Sequence, residues 1–227
     1  MIAPMSVSEA VASRRSIRRF LPDPVERAVL ERVLAKAQRA PSGGDTQPWN
    51  AVIVTGAELS RISTAIVELT KTAPLGAGVE YAIYPAEMEG RYAAQRMAVG
   101  QAMFTAAGIA RGDREARFSQ MRQNWESFGA PVQLFTYTPS YMGKPQWSDI
   151  GMWLQTVMLL LREEGLDSCA QEIWAMYGEA MKGLLGIPEG HIFFCGMAIG
   201  RRDPDAAINT FPVPRVPFED VVRFEGF

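Results

Sequence analysis

Histidine is almost missing from this chain of 227 residues: its one copy, His191, opens an apolar run rich in phenylalanine. A two-histidine metal site and a Ser/His/Asp triad both need more than that, which excludes zinc and triad hydrolysis. Cysteine is nearly as scarce. Cys169 and Cys195 lie in apolar stretches without metal-ligand spacing, as buried free thiols do, and a reducing, cytoplasmic setting is expected. Neither sign of charge dominates: 23 Lys and Arg against 25 Asp and Glu leave a net charge of -2, with no field to gather nucleic acid or an anionic membrane. The longest apolar run, Ile150 to Leu161, is too short to cross a bilayer and is interrupted by Gln155. Met1 to Glu9 has neither a basic nor an apolar leader region, so no secretory signal is expected. A Gly-x-Gly-x-x-Gly behind the first strand and a Gly-Lys-Ser phosphate loop are also lacking, which removes the Rossmann and P-loop modes of nucleotide binding.

What is present reads as one domain, residues 1–227, large enough to bury roughly three quarters of its unfolded surface. Ser6 is placed to cap a short helix that buries Val7, Ala10 and Val11 and ends in an arginine cluster. After Pro22 and Pro24, Val25, Val29, Leu30, Val33, Leu34 and Ala37 recur at helical spacing until Pro41. Ala51 to Thr55 reads as a strand and Glu58 to Lys71 as a helix. Residues 73–90, with Pro74, Gly76, Gly78 and Pro85, read as a mobile flap carrying Tyr81, Tyr84 and Met88. Helices are expected over Arg91 to Gly108, Asp113 to Phe128, Gln146 to Glu164 and Ala175 to Leu185, and strands over Ala130 to Tyr137, Ser168 to Gln171 and His191 to Ile199. The 146–164 helix is apolar nearly all round, as in a core or a subunit interface. The proline-rich tail, residues 201–227, cannot form a core of its own and is expected to run over the body or across to a second copy.

Two segments carry chemistry. Ala40 to Ala51 is a polar, glycine-containing loop pinned by Pro41 and Pro48 between a helix and a strand, and Arg14-Arg15-Ser16-Ile17-Arg18 puts three guanidiniums within five residues. Forked donors of this kind suit a phosphate dianion, each charge-assisted bond contributing about 1.5–3 kcal/mol. The plainer account is that the macrodipole favours arginine at any helix C-terminus, and that Pro-Ser-Gly-Gly-Asp is an ordinary turn. Together the two segments suggest a protein that wraps the phosphate and ring of a nucleotide-like cofactor.

Further motifs follow in order: Gln47-Pro48-Trp49, Asn124 before Gly129-Ala130-Pro131-Val132, Gly165-Leu166-Asp167-Ser168-Cys169-Ala170-Gln171-Glu172, and Gly196-Met197-Ala198-Ile199-Gly200 with Arg215. With Ser13 to Arg18 and Ala40-Pro41-Ser42, this ordered set resembles the FMN-dependent nitroreductase family from residue 8 to residue 224. The resemblance implies an α+β fold, an α/β/α sandwich with a mixed, mainly antiparallel sheet of four strands, in a homodimer whose C-terminal arm is exchanged and adds an edge strand to the partner. It implies that Arg14, Arg15, Ser16 and Arg18 hold the phosphate, ribityl chain and pyrimidine edge of a tightly bound FMN, with Arg215 completing the phosphate site. Pro41 would be a further cofactor contact, and Ser42, Gly43 and Gln47 would reach the flavin from the partner subunit. Asn124 would bond the pyrimidine, and the backbone of Ala170, Gln171, Glu172 and Ile173 would line the other face, with an N–H near Glu172 directed at N5.

The chain departs from the common pattern at Gly44-Asp45 and at Arg201-Arg202 after Gly200; the second adds a phosphate or nicotinamide-nucleotide contact to the expectation. Tyr81, Tyr84, Met88, Tyr92, Trp147 and Phe227 are the acceptor-pocket candidates, with core or dimer packing as their alternative use. The implied activity is reduction of nitroaromatics through nitroso to hydroxylamine by NADH or NADPH in a ping-pong cycle, with no side chain as obligatory base. Same-scaffold reductases of quinones, activated alkenes or halophenols, and a non-catalytic FMN-storing dimer, are the alternatives.

Overall fold

In the computed structural model, which describes residues 5–227, the chain forms α1 (Val7–Ser13), α2 (Arg27–Ala37), β1 (Asn50–Thr55), α3 (Gly56–Thr72), α4 (Gly90–Ala106), α5 (Arg114–Arg122), β2 (Val132–Pro139), α6 (Lys144–Glu163), β3 (Asp167–Gln171), α7 (Gly178–Leu185) and β4 (His191–Gly200). The expectation for a leader, on residues 1–9, lies partly outside the described residues. No helix among the described residues is long and apolar enough to cross a membrane. The strands lie in the order β1-β2-β4-β3 and every neighbouring pair is antiparallel. The parallel component of the expected mixed sheet is, among the described residues of one chain, a single bridge between Ser16 and Ser168.

Alternation along the two central strands sends side chains to opposite faces. Leu134 and Met197 join Leu30, Val33, Trp153 and Val157 in a core under α2 and α6, where Trp49 stacks on Trp153 at 6.0 Å. Phe135 and Phe193 join Ile62, Ile66, Trp174 and Met181 under α3 and α7. Each such side chain contributes roughly 1.5–3 kcal/mol on burial, and the two faces are covered by different helices. Pairing of β2 with β4 passes from Thr136–Cys195 to Tyr137–Phe193, which leaves Phe194 as an extra, bulged residue. That bulge lets Phe193 face the second core while Cys195 and Met197 face the first.

Several expected boundaries shift for physical reasons. Ser6 caps α1 as expected, accepting the Glu9 N–H at 3.2 Å while the Glu9 carboxylate accepts the Ser6 N–H at 2.7 Å, a reciprocal pair. Only Ala10 is buried on this helix, however. Val7 and Val11 are 76% and 55% exposed, because a seven-residue helix turns one narrow face to the body. The helix expected over 113–128 ends at Arg122 and gives way to turns over 123–126, and it could not have run to 128 in any case, since Ser127 and Phe128 take left-handed backbone (φ +52° and +54°) ahead of Gly129. The helix expected from Ala175 begins as a 3-10 turn, Glu172–Tyr177, and becomes α-helical only at Gly178. The exposed residues of α6 include Gly151, Met152 and Gln155, so the helix is buried on one side rather than all round.

The flap reading also narrows. Residues 73–81 are docked on the body: Ala77 N–H donates to the Met176 carbonyl at 2.8 Å, Gly78 accepts from the Glu179 N–H at 3.2 Å, and Tyr177 donates to the Ala73 carbonyl at 2.8 Å. Gly78 sits at φ +68° so close to Glu179 that an added Cβ would lie 2.6 Å from its side chain. Glu80 pairs with Lys182 at 2.7 Å and caps the Phe193 N–H at 3.0 Å. Residues 82–89 carry none of these ties.

After β4 the chain crosses back over residues 17–21. Buried Asn209 accepts the Arg18 N–H at 2.8 Å and donates to the carbonyls of Arg19 and Asp203, while the tail beyond Phe211 runs past α4, where Arg91 donates to the Asp220 carbonyl at 3.4 Å, with Phe218, Phe224 and Phe227 exposed. The start of this crossing is locked by Asp167, 3% exposed, whose carboxylate meets Arg162 at 2.8 Å and the Arg202 guanidinium through both of its oxygens. Replacing Asp167 with alanine leaves two guanidiniums without a counter-charge. Asp167→Ala should therefore lower the unfolding free energy by about 3 kcal/mol, the low end for a buried pair because Arg202 keeps some access to water; urea unfolding gives the number.

Candidate functional site

Helix α1 ends at Ser13, and the chain leaves it in extended conformation at Arg14. Ile17 anchors the next stretch: its side chain is fully buried and its N–H donates to the Ser168 carbonyl of β3 at 3.1 Å. Alternation then turns Ser16 and Arg18 toward a cleft of about 540 Å³ that Arg14, Arg15, Asn209, Phe211 and Arg215 also line. Arg15 donates to the Phe211 carbonyl, Arg18 to the Ser16 carbonyl at 3.2 Å, and Arg215 to the Val213 carbonyl at 2.9 Å. Among the described residues no carboxylate forms an ion pair with any of these four arginines. Burial and then the neighbouring Arg215 guanidinium push Arg14 below its ordinary value. Like charges gathered without a counter-ion are unfavourable until an anion arrives, so a phosphate dianion fits this donor set.

The cleft continues into two others. One of about 560 Å³ shares Arg18 and holds Tyr84, Asn124 and Phe128; one of about 720 Å³ shares Val213 and Arg215 and holds Tyr84, Met88 and Tyr92. Of the expected acceptor-pocket residues, Tyr84, Met88 and Tyr92 thus meet around the arginines. Tyr81 and Trp147 do not: Tyr81 packs edge-on against Trp147 at 4.8 Å, both rings touch Phe194, and the Tyr81 hydroxyl donates to the carbonyl of that bulged residue. Desolvation raises the Tyr81 phenol well above its ordinary value, as befits a buried anchor. Phe227 is fully exposed at the end of the tail.

Asn124 is held by a buried chain of amides. Its carbonyl accepts from Gln171 Nε2 at 2.7 Å, Gln171 Oε1 accepts from Gln133 Nε2 at 3.0 Å, and its own side-chain amide donates to the Met121 carbonyl at 2.9 Å. Space for Gln133 exists because residue 196 is glycine: a Cβ there would lie 2.5 Å from Gln133 Nε2 and 2.8 Å from Trp174 Cδ1. Gln171 is therefore a positioning residue rather than a surface toward a ligand; Gln133 is a contributor that sequence reasoning passed over, and Gly196 one that it placed in a motif without a role. The visible signal was a glutamine inside the apolar run Val132 to Phe135. Ala170 and Glu172 are exposed at the end of β3, where a methyl-sized side chain leaves the backbone open to a flat ligand; Ile173 packs partly into the second core.

Other expected contacts lie elsewhere in the single chain. Arg202 is committed to Asp167 and is not free for a phosphate or a nicotinamide nucleotide. Gly200 is a packing glycine, since a Cβ would lie 2.8 Å from Pro131 Cδ; Arg201 is exposed, its carbonyl accepting from the Leu21 N–H. Pro41, Ser42, Gly43 and Gln47 do not line the arginine cleft. Their loop is closed by Ser42 Oγ accepting the Gln47 N–H at 3.0 Å and by Gly43 N–H donating to Asp149 at 3.2 Å, with Gly44, Asp45 and Gln47 all left-handed at φ +59°, +55° and +46°. Two non-glycine residues in that region carry local strain of the order of 1–3 kcal/mol each. Cys169 and Cys195 are buried free thiols, and desolvation pushes Cys195 up to about 12.

A family model described as the nitroreductase family matches residues 11–201. The chain is 31% identical to the 4-nitrobenzoate reductase of Pseudomonas putida over 96% of its own length and 94% of that protein, and 29% identical to the nitrobenzene nitroreductase of Ectopseudomonas oleovorans over 96% of each. Its fold superposes on the FMN and NADPH-dependent nitroreductase NfnB of Sphigopyxis sp. strain HMH with a TM-score of 0.96 at 47% identity, covering 98% and 100% of the two chains. The FMN-dependent NfnB of Mycobacterium smegmatis, solved with NADPH, gives 0.91 at 27% identity over 96% and 97%.

Arg215 is exposed and bonds only to carbonyls of its own segment, so its loss should spare the fold. Arg215→Ala should weaken retention of FMN about tenfold or more with an unchanged melting transition, and an unchanged FMN affinity on equilibrium titration would remove Arg215 from the phosphate site.

Proposed function

The chain belongs to the nitroreductase family, and from that footing we propose that it is an FMN-dependent oxidoreductase passing hydride equivalents from NADH or NADPH to nitroaromatic acceptors. The observation that carries the reading is the arginine cleft: four guanidiniums converge with no carboxylate among the described residues, next to an aromatic cavity. When bound, FMN supplies the redox chemistry, taking hydride from the nicotinamide and then giving it to an acceptor seated on the same ring. Everything else falls to the protein.

Arg14, Arg15 and Arg215 would hold the phosphate, and Arg18, at the junction of two cavities, would face the polar edge of the ring, where negative charge gathers on reduction; a cation already in place stabilises that charge. Asn124, its backbone carbonyl fixed through Gln171 and Gln133 and its side-chain nitrogen tied to the Met121 carbonyl, would present its carboxamide oxygen and remaining N–H to the pyrimidine. Ala170 would leave a smooth surface at one face of the ring. Tyr84, Met88 and Tyr92 would sandwich a flat acceptor from the other side, each aromatic contact adding about 0.5–1.5 kcal/mol. A nitroarene takes one hydride and one proton to the nitroso level with loss of water, then a second hydride and proton to the hydroxylamine, so two turns of the cycle complete the reduction.

The working unit in this reading is a homodimer. Support comes from the loop at 41–47, strained yet remote from the cleft of its own chain, and from the exposed apolar residues Val7, Val11, Met97, Met152, Phe218 and Phe224, which a second copy would cover. The tail beyond Phe211 would be the exchanged arm.

The purified protein should be yellow, be bleached by NADH or NADPH without oxygen, and regain colour on addition of a nitroarene, as followed at the flavin absorption band. Bound flavin that neither nicotinamide reduces would sink the enzymatic reading.

A further inference from the structure

Beside the arginine cleft lies a second concentration of positive charge that the proposed flavin site does not use. Arg96, Arg111, Arg114 and Arg117 line two adjoining cavities of about 520 and 560 Å³ between α4, α5 and the 82–89 segment; the two share Arg96, Phe104 and Arg117, the second also reaches Arg18 and Asn124 at the end toward the proposed flavin site, and among the described residues neither is lined by a carboxylate. The chain has more acidic than basic residues, so composition does not account for four cations beyond Arg18 facing this space. On α5 the arginine with a carboxylate partner is Arg122, which meets Glu126 at 3.4 Å. Asp113 spends its carboxylate capping the helix, accepting the Ala116 N–H at 2.9 Å. Glu115 on α5 and Glu87 and Glu89 on the flanking segment pair with none of the four among the described residues.

The guanidiniums are held flat. Arg96 lies over the Tyr84 ring at 3.9 Å and Arg117 over the Phe104 ring at 4.7 Å. Stacking on a ring face fixes the plane of a guanidinium and leaves its in-plane N–H groups unspent. Arg117 Nε is buried and has no hydrogen-bond partner, and an unpaired buried donor is unfavourable unless a ligand supplies the acceptor. Arg111 and Arg114 stand before and in the first turn of α5, where the macrodipole disfavours cations, so helix stability does not explain them either.

We propose that this space is an oxyanion subsite, resting on the functional reading above: it receives the negatively charged group of a molecule lying over the flavin, either the carboxylate of an aromatic acid acceptor or a phosphate of the nicotinamide donor. Both present oxygens in one plane or fan to a guanidinium fork, and both reach it from the aromatic cavity through Tyr84 and Arg96, which line the two spaces in common. The subsite selects charged over neutral molecules of the same shape.

Isothermal titration of the flavin-loaded protein with benzoate against benzamide, and with adenosine 2′-phosphate against adenosine, tests this without relying on turnover. At least one charged probe should bind about tenfold more tightly than its neutral counterpart, and Arg117→Gln should abolish that preference. The double variant Arg111→Gln/Arg114→Gln, at two exposed positions, should reduce it as well and serves if Arg117→Gln fails to fold. A preference for benzoate identifies an acidic acceptor and one for adenosine 2′-phosphate identifies the donor. Equal affinity within both pairs, or a preference untouched in both variants, overturns the proposal, while a protein that binds the charged probes but reduces no nitroarene contradicts the functional reading alone.

Discussion

Uncompensated positive charge is the constraint around which this protein is organised. Arginine is cheap to place on a surface and costly to crowd, because each guanidinium raises the free energy of its neighbour and burial raises it further. The fold treats its arginines in two ways. Arg162 and Arg202, partly buried beside β3, share the carboxylate of Asp167 and act as a clamp between α6, β3 and the start of the tail. Arg14, Arg15, Arg18 and Arg215 have no such partner among the described residues; Arg15, Arg18 and Arg215 donate to backbone carbonyls, and Arg18 also lies over the Phe211 ring. A protein retains such a cluster when a bound anion completes it, and the family to which the chain belongs includes proteins that use FMN.

The scaffold is arranged to keep that cluster and its surroundings in place. Ile17 ties the arginine segment to β3 through the Ser168 carbonyl, and Asn209 ties the returning tail to the same segment from the other side. The amide chain from Gln133 through Gln171 to Asn124 runs from the sheet interior to the cleft wall, so Asn124 inherits the rigidity of β2 and β3. Phe194, pushed out of register by the bulge in β4, receives Tyr81 and so fixes where the 73–81 segment stops and the wall of the aromatic cavity starts. Local rigidity of this kind is what an enzyme needs when the reacting bonds belong to a cofactor and the protein contributes orientation and charge.

Much of this was legible in the residues. Apolar periodicity located the helices and the four strands, Ser6 with Glu9 announced the first helix cap, and the ordered motifs from Ser13 to Arg215 pointed to the family and its cofactor. The arginine cluster and Tyr84, Met88 and Tyr92 do converge. What could not be read had specific causes. Left-handed backbone at Ser127 and Phe128 has no glycine to mark it, so the 113–128 helix looked longer than it is. A β-bulge leaves no signature in composition, and without it Tyr81 looks like a flap residue rather than an anchor. Arg202 resembles the other arginines expected at the cofactor until its partner, 35 positions away, is brought against it. Gln171 sits inside a motif whose backbone lines the implied flavin, yet its side chain points into the interior toward Gln133.

The most direct test of the central claim removes the anion and keeps the ring. Equilibrium titration of the flavin-stripped protein with FMN and with riboflavin compares ligands that differ only in the phosphate. If the guanidiniums of Arg14, Arg15 and Arg215 close on that group, FMN should bind on the order of a hundredfold or more tightly than riboflavin, the contribution of at least two charge-assisted bonds. Equal affinities would mean that the arginine cleft binds something else.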